Sequence, residues 1–127
     1  MSEDNCCELH GVRVLECGAA GPLVSDGGAV TELIGVAWAQ RAALVAIPVA
    51  RLGAEFFELK TRIAGEMLQK FVTYNLRVAI VGDISEKVAG SSSLRDFVLE
   101  CNRGSRIWFV ASREELGERL KREGARS

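Results

Sequence analysis

Ala43-Leu44-Val45-Ala46-Ile47-Pro48-Val49 and, further along, Arg77-Val78-Ala79-Ile80-Val81-Gly82 decide the fold. Both are unbroken apolar runs, too short to cross a membrane and rich in branched side chains. A strand with one wet face alternates apolar with polar residues. A continuous apolar run belongs to a strand covered on both faces, the pattern of a parallel sheet. Pro48 has no amide proton to give to a ladder, so the first of these strands is expected to end there. Residues 106–110 (Arg-Ile-Trp-Phe-Val) read as a third, shorter strand.

Between the strands the apolar spacing becomes helical. Ser25 and Asp26 are candidate caps for a helix starting near Gly27, whose inner face is Val30, Leu33, Ile34, Ala37 and Trp38. Residues 55–59 read as a short helical turn. They lead into a helix with Ile63, Met67, Leu68, Phe71 and Val72 inward, Glu66 and Lys70 spaced for a helical ion pair, and Tyr74-Asn75 at its end. Residues 83–93 read as a long polar loop. Ser93, with Asp96 three places on, is the expected cap of a helix burying Leu94, Phe97, Val98 and Cys101, and Gly104 suits its left-handed end. Ser112-Arg113-Glu114-Glu115 is a capping box for a last helix with Leu116 and Leu120 inward. Upstream, two extended runs, residues 7–9 and 12–17, flank His10-Gly11, a hairpin signal. The expected fold is a single-domain α/β sandwich of two or three layers. An N-terminal hairpin is followed by alternating helices and strands, with a mostly parallel sheet of about five strands and four helices. The domain spans 1–127, with its core at about 7–121 and flexible tails at 1–5 and 124–127.

At 127 residues, 48% hydrophobic and 26% charged, the chain can bury a core without disulfide or metal staples. Sixteen basic and seventeen acidic residues leave a net charge of −1, which argues against a nucleic-acid partner. No apolar stretch is long enough for a membrane span. The acidic start Met1-Ser2-Glu3-Asp4-Asn5 has no signal-peptide character, so a cytoplasmic protein is expected. Cys6, Cys7, Cys17 and Cys101 form no CxxC pair, and His10 is the one histidine. They are expected to be free thiols, with no metal site and no cofactor. Val81-Gly82-Asp83 carries no dinucleotide fingerprint, Gly90 opens no phosphate loop, and no nucleophile elbow is present. No catalytic residue is assigned.

In an open parallel sheet, ligands gather beyond the carboxyl ends of the strands. The loops expected there offer Arg51, Glu58, Lys60 and Thr61 as polar groups. Pro48, Val49 and Leu52 would be apolar walls, and helix N-termini would favour an anion. A small apolar or anionic ligand fits that edge.

Phe56-Phe57-Glu58-Leu59-Lys60-Thr61, Ala64-Gly65-Glu66-Met67-Leu68-Gln69-Lys70-Phe71, Val78-Ala79-Ile80-Val81-Gly82-Asp83, Ser93-Leu94-Arg95-Asp96-Phe97 and Glu100-Cys101-Asn102-Arg103-Gly104 together resemble the bacterial domain of unknown function 4180. The resemblance runs roughly from residue 11 to residue 120. It matches family polar residues to Lys60, Glu66, Arg95, Asp96, Asn102, Arg103 and Gly104. The element order is similar to that of STAS-like domains, the anti-sigma-factor-antagonist type. That resemblance implies regulation by protein contact, and a phospho-acceptor at the start of a helix, where Thr61 stands. The usual Asp-Ser-Ser/Thr-Gly signature is replaced by Leu59-Lys60-Thr61-Arg62.

Two functions are therefore expected. The first is a non-enzymatic STAS-like regulatory or protein-interaction module, its partner an unknown protein or a second copy in a homodimer. Its candidate contacts are Trp38 as an apolar anchor, with Lys60, Thr61, Glu66, Arg95 and Arg103. The alternative is a small enzyme or small-molecule-binding protein using an apolar pocket at the carboxyl edge, with Arg51, Glu58, Lys60 and Thr61 in polar roles.

Overall fold

His10 and Gly11 both take positive φ, 49° and 84°, which is what a tight two-residue hairpin turn requires. They fold strand β1 (Asn5–Leu9) antiparallel onto β2 (Val12–Glu16), with Leu9 opposite Val12 and Asn5 opposite Glu16. The computed structural model describes residues 5–19, 23–24 and 27–125. The candidate caps Ser25 and Asp26 lie outside the described residues. From α1 (Gly27–Ala39) the chain alternates: β3 (Leu44–Pro48), α2 (Ile63–Thr73), β4 (Arg77–Val81), α3 (Ser85–Ala89), α4 (Ser92–Arg103), β5 (Ile107–Val110) and α5 (Arg113–Ala125). Three single 3-10 turns, Val49–Arg51, Ala54–Phe57 and Leu59–Thr61, carry β3 into α2.

The sheet order is β1-β2-β3-β4-β5, with β2 to β5 all parallel. Successive side chains point to opposite faces, so each apolar run feeds two cores. Leu15, Val45, Ile47, Val78, Ile80 and Phe109 face one side and pack with Leu33 and Ile34 of α1, Met67, Leu68 and Phe71 of α2, and Leu94 of α4. Val14, Leu44, Ala46, Ala79, Trp108 and Val110 face the other and meet Leu116 and Leu120 of α5. The molecule is thus three-layered: three long helices on one face, one on the other. Trp38, grouped by spacing with the inner face of α1, is instead 60% exposed.

Local chemistry shifts several boundaries. The stretch 83–93 is not all loop. The Asp83 carboxylate accepts from the Ser85 amide at 2.9 Å and starts α3, a fifth helix where four were expected. Ser91, not Ser93, caps α4, its hydroxyl accepting from the Leu94 amide at 3.2 Å while Ser93 lies inside the first turn. Ser91 is the residue with extended backbone there, as a cap must be. Gly104 is extended rather than left-handed, because its carbonyl receives the Trp108 indole N–H at 2.8 Å and the chain runs straight into β5. Lys70 turns to α1, donating to Thr31 Oγ1 at 2.6 Å and to the Gly27 carbonyl at 3.3 Å, rather than along its own helix to Glu66. The capping hydroxyl of Ser112 holds as expected, taking the Glu115 amide at 3.2 Å.

α1 and α2 both end in the same way. Arg41 and Asn75 adopt left-handed φ of 59° and 63°, and the next amide reaches back, Ala42 to Ala37 at 2.8 Å and Leu76 to Phe71 at 2.9 Å. Gly82 ends β4 at φ 143°, where a Cβ would stand 2.8 Å from Val49 Cγ2. Gly82→Ala is therefore expected to cost about 1–3 kcal/mol in urea denaturation, while Gly90→Ala, with only ordinary contacts, stays within about 0.5 kcal/mol.

Candidate functional site

At the carboxyl edge the expected polar groups are engaged separately. Arg51 is only 7% exposed and donates to the Gly18 carbonyl at 2.9 Å. The Thr61 hydroxyl shares its proton between the carbonyls of Glu55 at 2.9 Å and Glu58 at 2.7 Å, and accepts from the Ile63 amide at 3.3 Å. It staples the 3-10 turns together. Esterification there would remove the donated proton and set a dianion against two carbonyls. Glu58 and Lys60 face solvent, as do Glu66 on α2 and Arg95 on α4. Two hollows open nearby. One of about 360 Å³ is walled by Leu23, Val24, Phe56 and Ile63, with Glu55 as its charged group. One of about 210 Å³ lies under α5 between Cys17, Ala46, Pro48, Val81 and Leu116, with Glu16 and Arg113 at its rim. Arg51, Glu58, Lys60 and Thr61 are not among the lining residues of either.

The rim of the smaller hollow carries a compact polar cluster. Arg113 Nε donates to Glu16, and the Cys7 thiol donates to the other Glu16 oxygen at 3.2 Å. Burial, then the Glu16 carboxylate, push the Cys7 thiol above its ordinary value of 9.0, with Arg113 opposing. The thiol is therefore a donor and packing group, not a thiolate nucleophile.

The opposite, amino edge gathers far more chemistry. α1, α2, α4 and α5 all finish there, bringing the negative ends of their dipoles. Arginines answer them. Arg13 donates to the Gln40 carbonyl, Arg77 to the Ser105 carbonyl at 2.7 Å, Arg119 to the Asn102 carbonyl at 2.8 Å, and Arg106 to the Asn75 side chain at 3.4 Å. Trp38 sits beside Tyr74, rings 6.4 Å apart and edge to face, its indole N–H on the Tyr74 carbonyl at 3.2 Å. Asn102 acts as an extra strand residue for β5, taking the Phe109 amide at 2.7 Å and donating to its carbonyl at 3.2 Å. Arg103 is exposed and pairs with Glu100 at 3.3 Å.

Of the eight residues singled out by sequence, the structure thus puts Arg51, Glu58, Lys60 and Thr61 on the loop after β3, and Glu66 and Arg95 on outer helix surfaces. Trp38 and Arg103 lie at the other end of the sheet. Tyr74, Arg77, Trp108 and Arg119 went unnoticed as functional groups. The available signal was an arginine at or just ahead of each parallel strand: Arg13, Arg41, Arg77 and Arg106.

Fold and site define a three-layer α/β domain with an arginine-rich, aromatic amino edge. The family described as "Domain of unknown function (DUF4180)" matches residues 9–120, and the chain belongs to it. Comparison with curated proteins and with solved structures gave no match. Among the described residues no cluster of His, Cys, Asp and Glu could hold a metal ion, and no helix is long and apolar enough to cross a membrane.

The Cys7 cluster has a pH signature. A thiol whose folded pKa is raised stabilises the fold fully below its unfolded value near 9.0, and that contribution is lost as pH climbs through the raised value. Glu16→Gln removes a group that raises the thiol. Alkylation of Cys7 by iodoacetamide at mildly alkaline pH, read by mass spectrometry, is expected to be slower in the folded wild type than in urea, and faster in folded Glu16→Gln than in folded wild type.

Proposed function

We propose that this domain is a non-enzymatic interaction module, regulatory in the manner of STAS-like domains, whose partner docks on the amino edge around Trp38 and Tyr74. The observation that carries the reading is the state of Trp38. It is 60% exposed, yet its indole N–H is hydrogen-bonded and its ring is braced by Tyr74, itself 46% exposed. An exposed, pre-oriented indole loses little conformational freedom on binding and contributes a large apolar area. Tryptophans that become buried on binding are typical hot spots. Arg41, whose amide bonds to the Trp38 carbonyl, and Arg106, bonded to Asn75, flank the pair with exposed cations. The partner surface that suits them is an apolar pocket with an acidic rim.

The element order, hairpin then strand–helix repeats, supports the STAS-like reading. So does the separate engagement of Arg51, Glu58, Lys60 and Thr61 at the other edge, which leaves no convergent set for acid–base chemistry there. Thr61, tied into its turn, serves this reading as a structural residue rather than a phospho-acceptor.

Trp38→Ala tests the proposal. Its fold is expected to lose no more than about 1 kcal/mol, because the ring is mostly in solvent. Recovery of the partner from source cells is expected to fall at least about tenfold, while Lys60→Ala retains it. If the partner is a second copy, sedimentation shows a wild-type dimer and a Trp38→Ala monomer. Undiminished recovery and unchanged sedimentation in Trp38→Ala overturn the reading.

A further inference from the structure

The amino edge also holds an open cleft of about 650 Å³ between the ends of α4 and α5, away from Trp38. Arg103, Arg119 and Arg122 line it together with Gly104, Ser105 and Trp108, with Glu115 and Glu123 as its acids. Its floor is unusual. The Trp108 ring is covered by two guanidinium groups, Arg77 at 4.6 Å and Arg119 at 4.3 Å from the ring centre. The two cations are not equivalent. Arg77 is neutralised by Glu123 through contacts of 2.9 and 3.0 Å. Arg119, half-buried, donates to the Asn102 carbonyl, and among the described residues no carboxylate lies within ion-pair distance of it or of Arg122. Glu123 is taken by Arg77, and a Glu115 carboxylate oxygen receives the Ala111 amide at 3.4 Å.

A half-buried cation without a counter-ion is costly unless something answers its charge. Stacking on Trp108 supplies part of that answer, and a planar guanidinium fixed by stacking keeps its remaining N–H groups set in direction. Burial, and then the nearness of Arg122, pull Arg119 below its ordinary value, with the Glu115 and Glu123 carboxylates opposing. Trp108 is buried, so the cleft offers no free aromatic surface for a base to stack on. What it offers is fork-shaped donors at a single place.

We propose that this cleft binds a multivalent oxyanion, the phosphate group of a small phosphorylated molecule, between Arg119, Arg122 and Arg103. The volume is larger than one phosphate requires and falls in the range of small-ligand sites, so the ester's organic part has room beside Ser105 and Gly104. Arginine is the residue suited to such recognition, since its paired N–H groups match two phosphate oxygens. Binding would tie the end of α5 to the end of α4, the two elements that Arg119 already bridges.

The test is a titration of the full-length protein with pyrophosphate, against sodium chloride of matched ionic strength. The readout is the indole N–H of Trp108 in nitrogen-15 NMR spectra, a proton fixed by the Gly104 carbonyl at the cleft wall. A saturable shift with pyrophosphate and none with chloride is expected. Arg122→Gln, a change at an exposed side chain, is expected to weaken binding at least about tenfold, as is Arg119→Met, which keeps the stacked stem. Lys60→Ala, at the far edge, leaves it unchanged. If Arg119→Met fails to fold, Arg122→Gln alone decides. A shift that chloride reproduces, that does not saturate, or that survives Arg122→Gln undiminished overturns the proposal.

Discussion

The chain order of β2, β3, β4 and β5 in the sheet is the constraint on which the rest depends. Parallel neighbours joined in sequence need crossovers of one hand, and right-handed crossovers between successive strands stack their helices on one face. That is where α1, α2 and α4 lie. Strand order never reverses between β2 and β5, so helices on opposite faces do not part to open a crevice at the carboxyl edge. The usual reason for finding a ligand there is a reversal of that kind. The groups offered at that edge settle into local duties instead: Arg51 inward, Thr61 as a staple, Glu16 with Cys7 and Arg113.

The same constraint loads the opposite edge. Four helices deliver their C-terminal carbonyls to it, and cations near helix C-termini are stabilising. Arg119 of α5 meets the Asn102 carbonyl in the last turn of α4, and Arg13 of β2 the Gln40 carbonyl just past α1, so these contacts tie helix ends to neighbouring elements. Among the described residues, the second face of the sheet is covered by α5, with Leu116 and Leu120 fully inward. Arg77 and Arg119 add to that cover by laying their guanidinium groups over the Trp108 ring. Charge capping, core closure and a basic surface thus come from one set of side chains.

Architecture was legible in the sequence because it rests on periodicity. The runs at 43–49 and 77–82 gave buried strands, and the stripes on α1, α2 and α5 gave the faces that pack. His10-Gly11 gave the hairpin through its turn chemistry. Details that depend on which of several equivalent groups wins were not legible. Gly90-Ser91-Ser92-Ser93 offers three serines, and only backbone direction picks Ser91 as the cap. Arg41 replaces the glycine that usually marks a left-handed helix end, so no residue type announced that turn, whereas Asn75 stands where the end of α2 was expected. Trp38 falls on the apolar spacing of α1, but its ring lies against Tyr74 rather than in the core. The candidate site residues come from the loop after β3 and from three helices, and the structure does not bring them together. Arg77, Trp108 and Arg119 come together only through the packing of α5, which no local pattern encodes.

The central claim is that the amino edge, not the carboxyl edge, is the working surface. Hydrogen–deuterium exchange of the protein alone, and in complex with a partner recovered from source cells, tests this most directly. The account predicts added protection at residues 38–43, 73–77 and 103–106. Protection confined to residues 49–62 and 83–92 would contradict it.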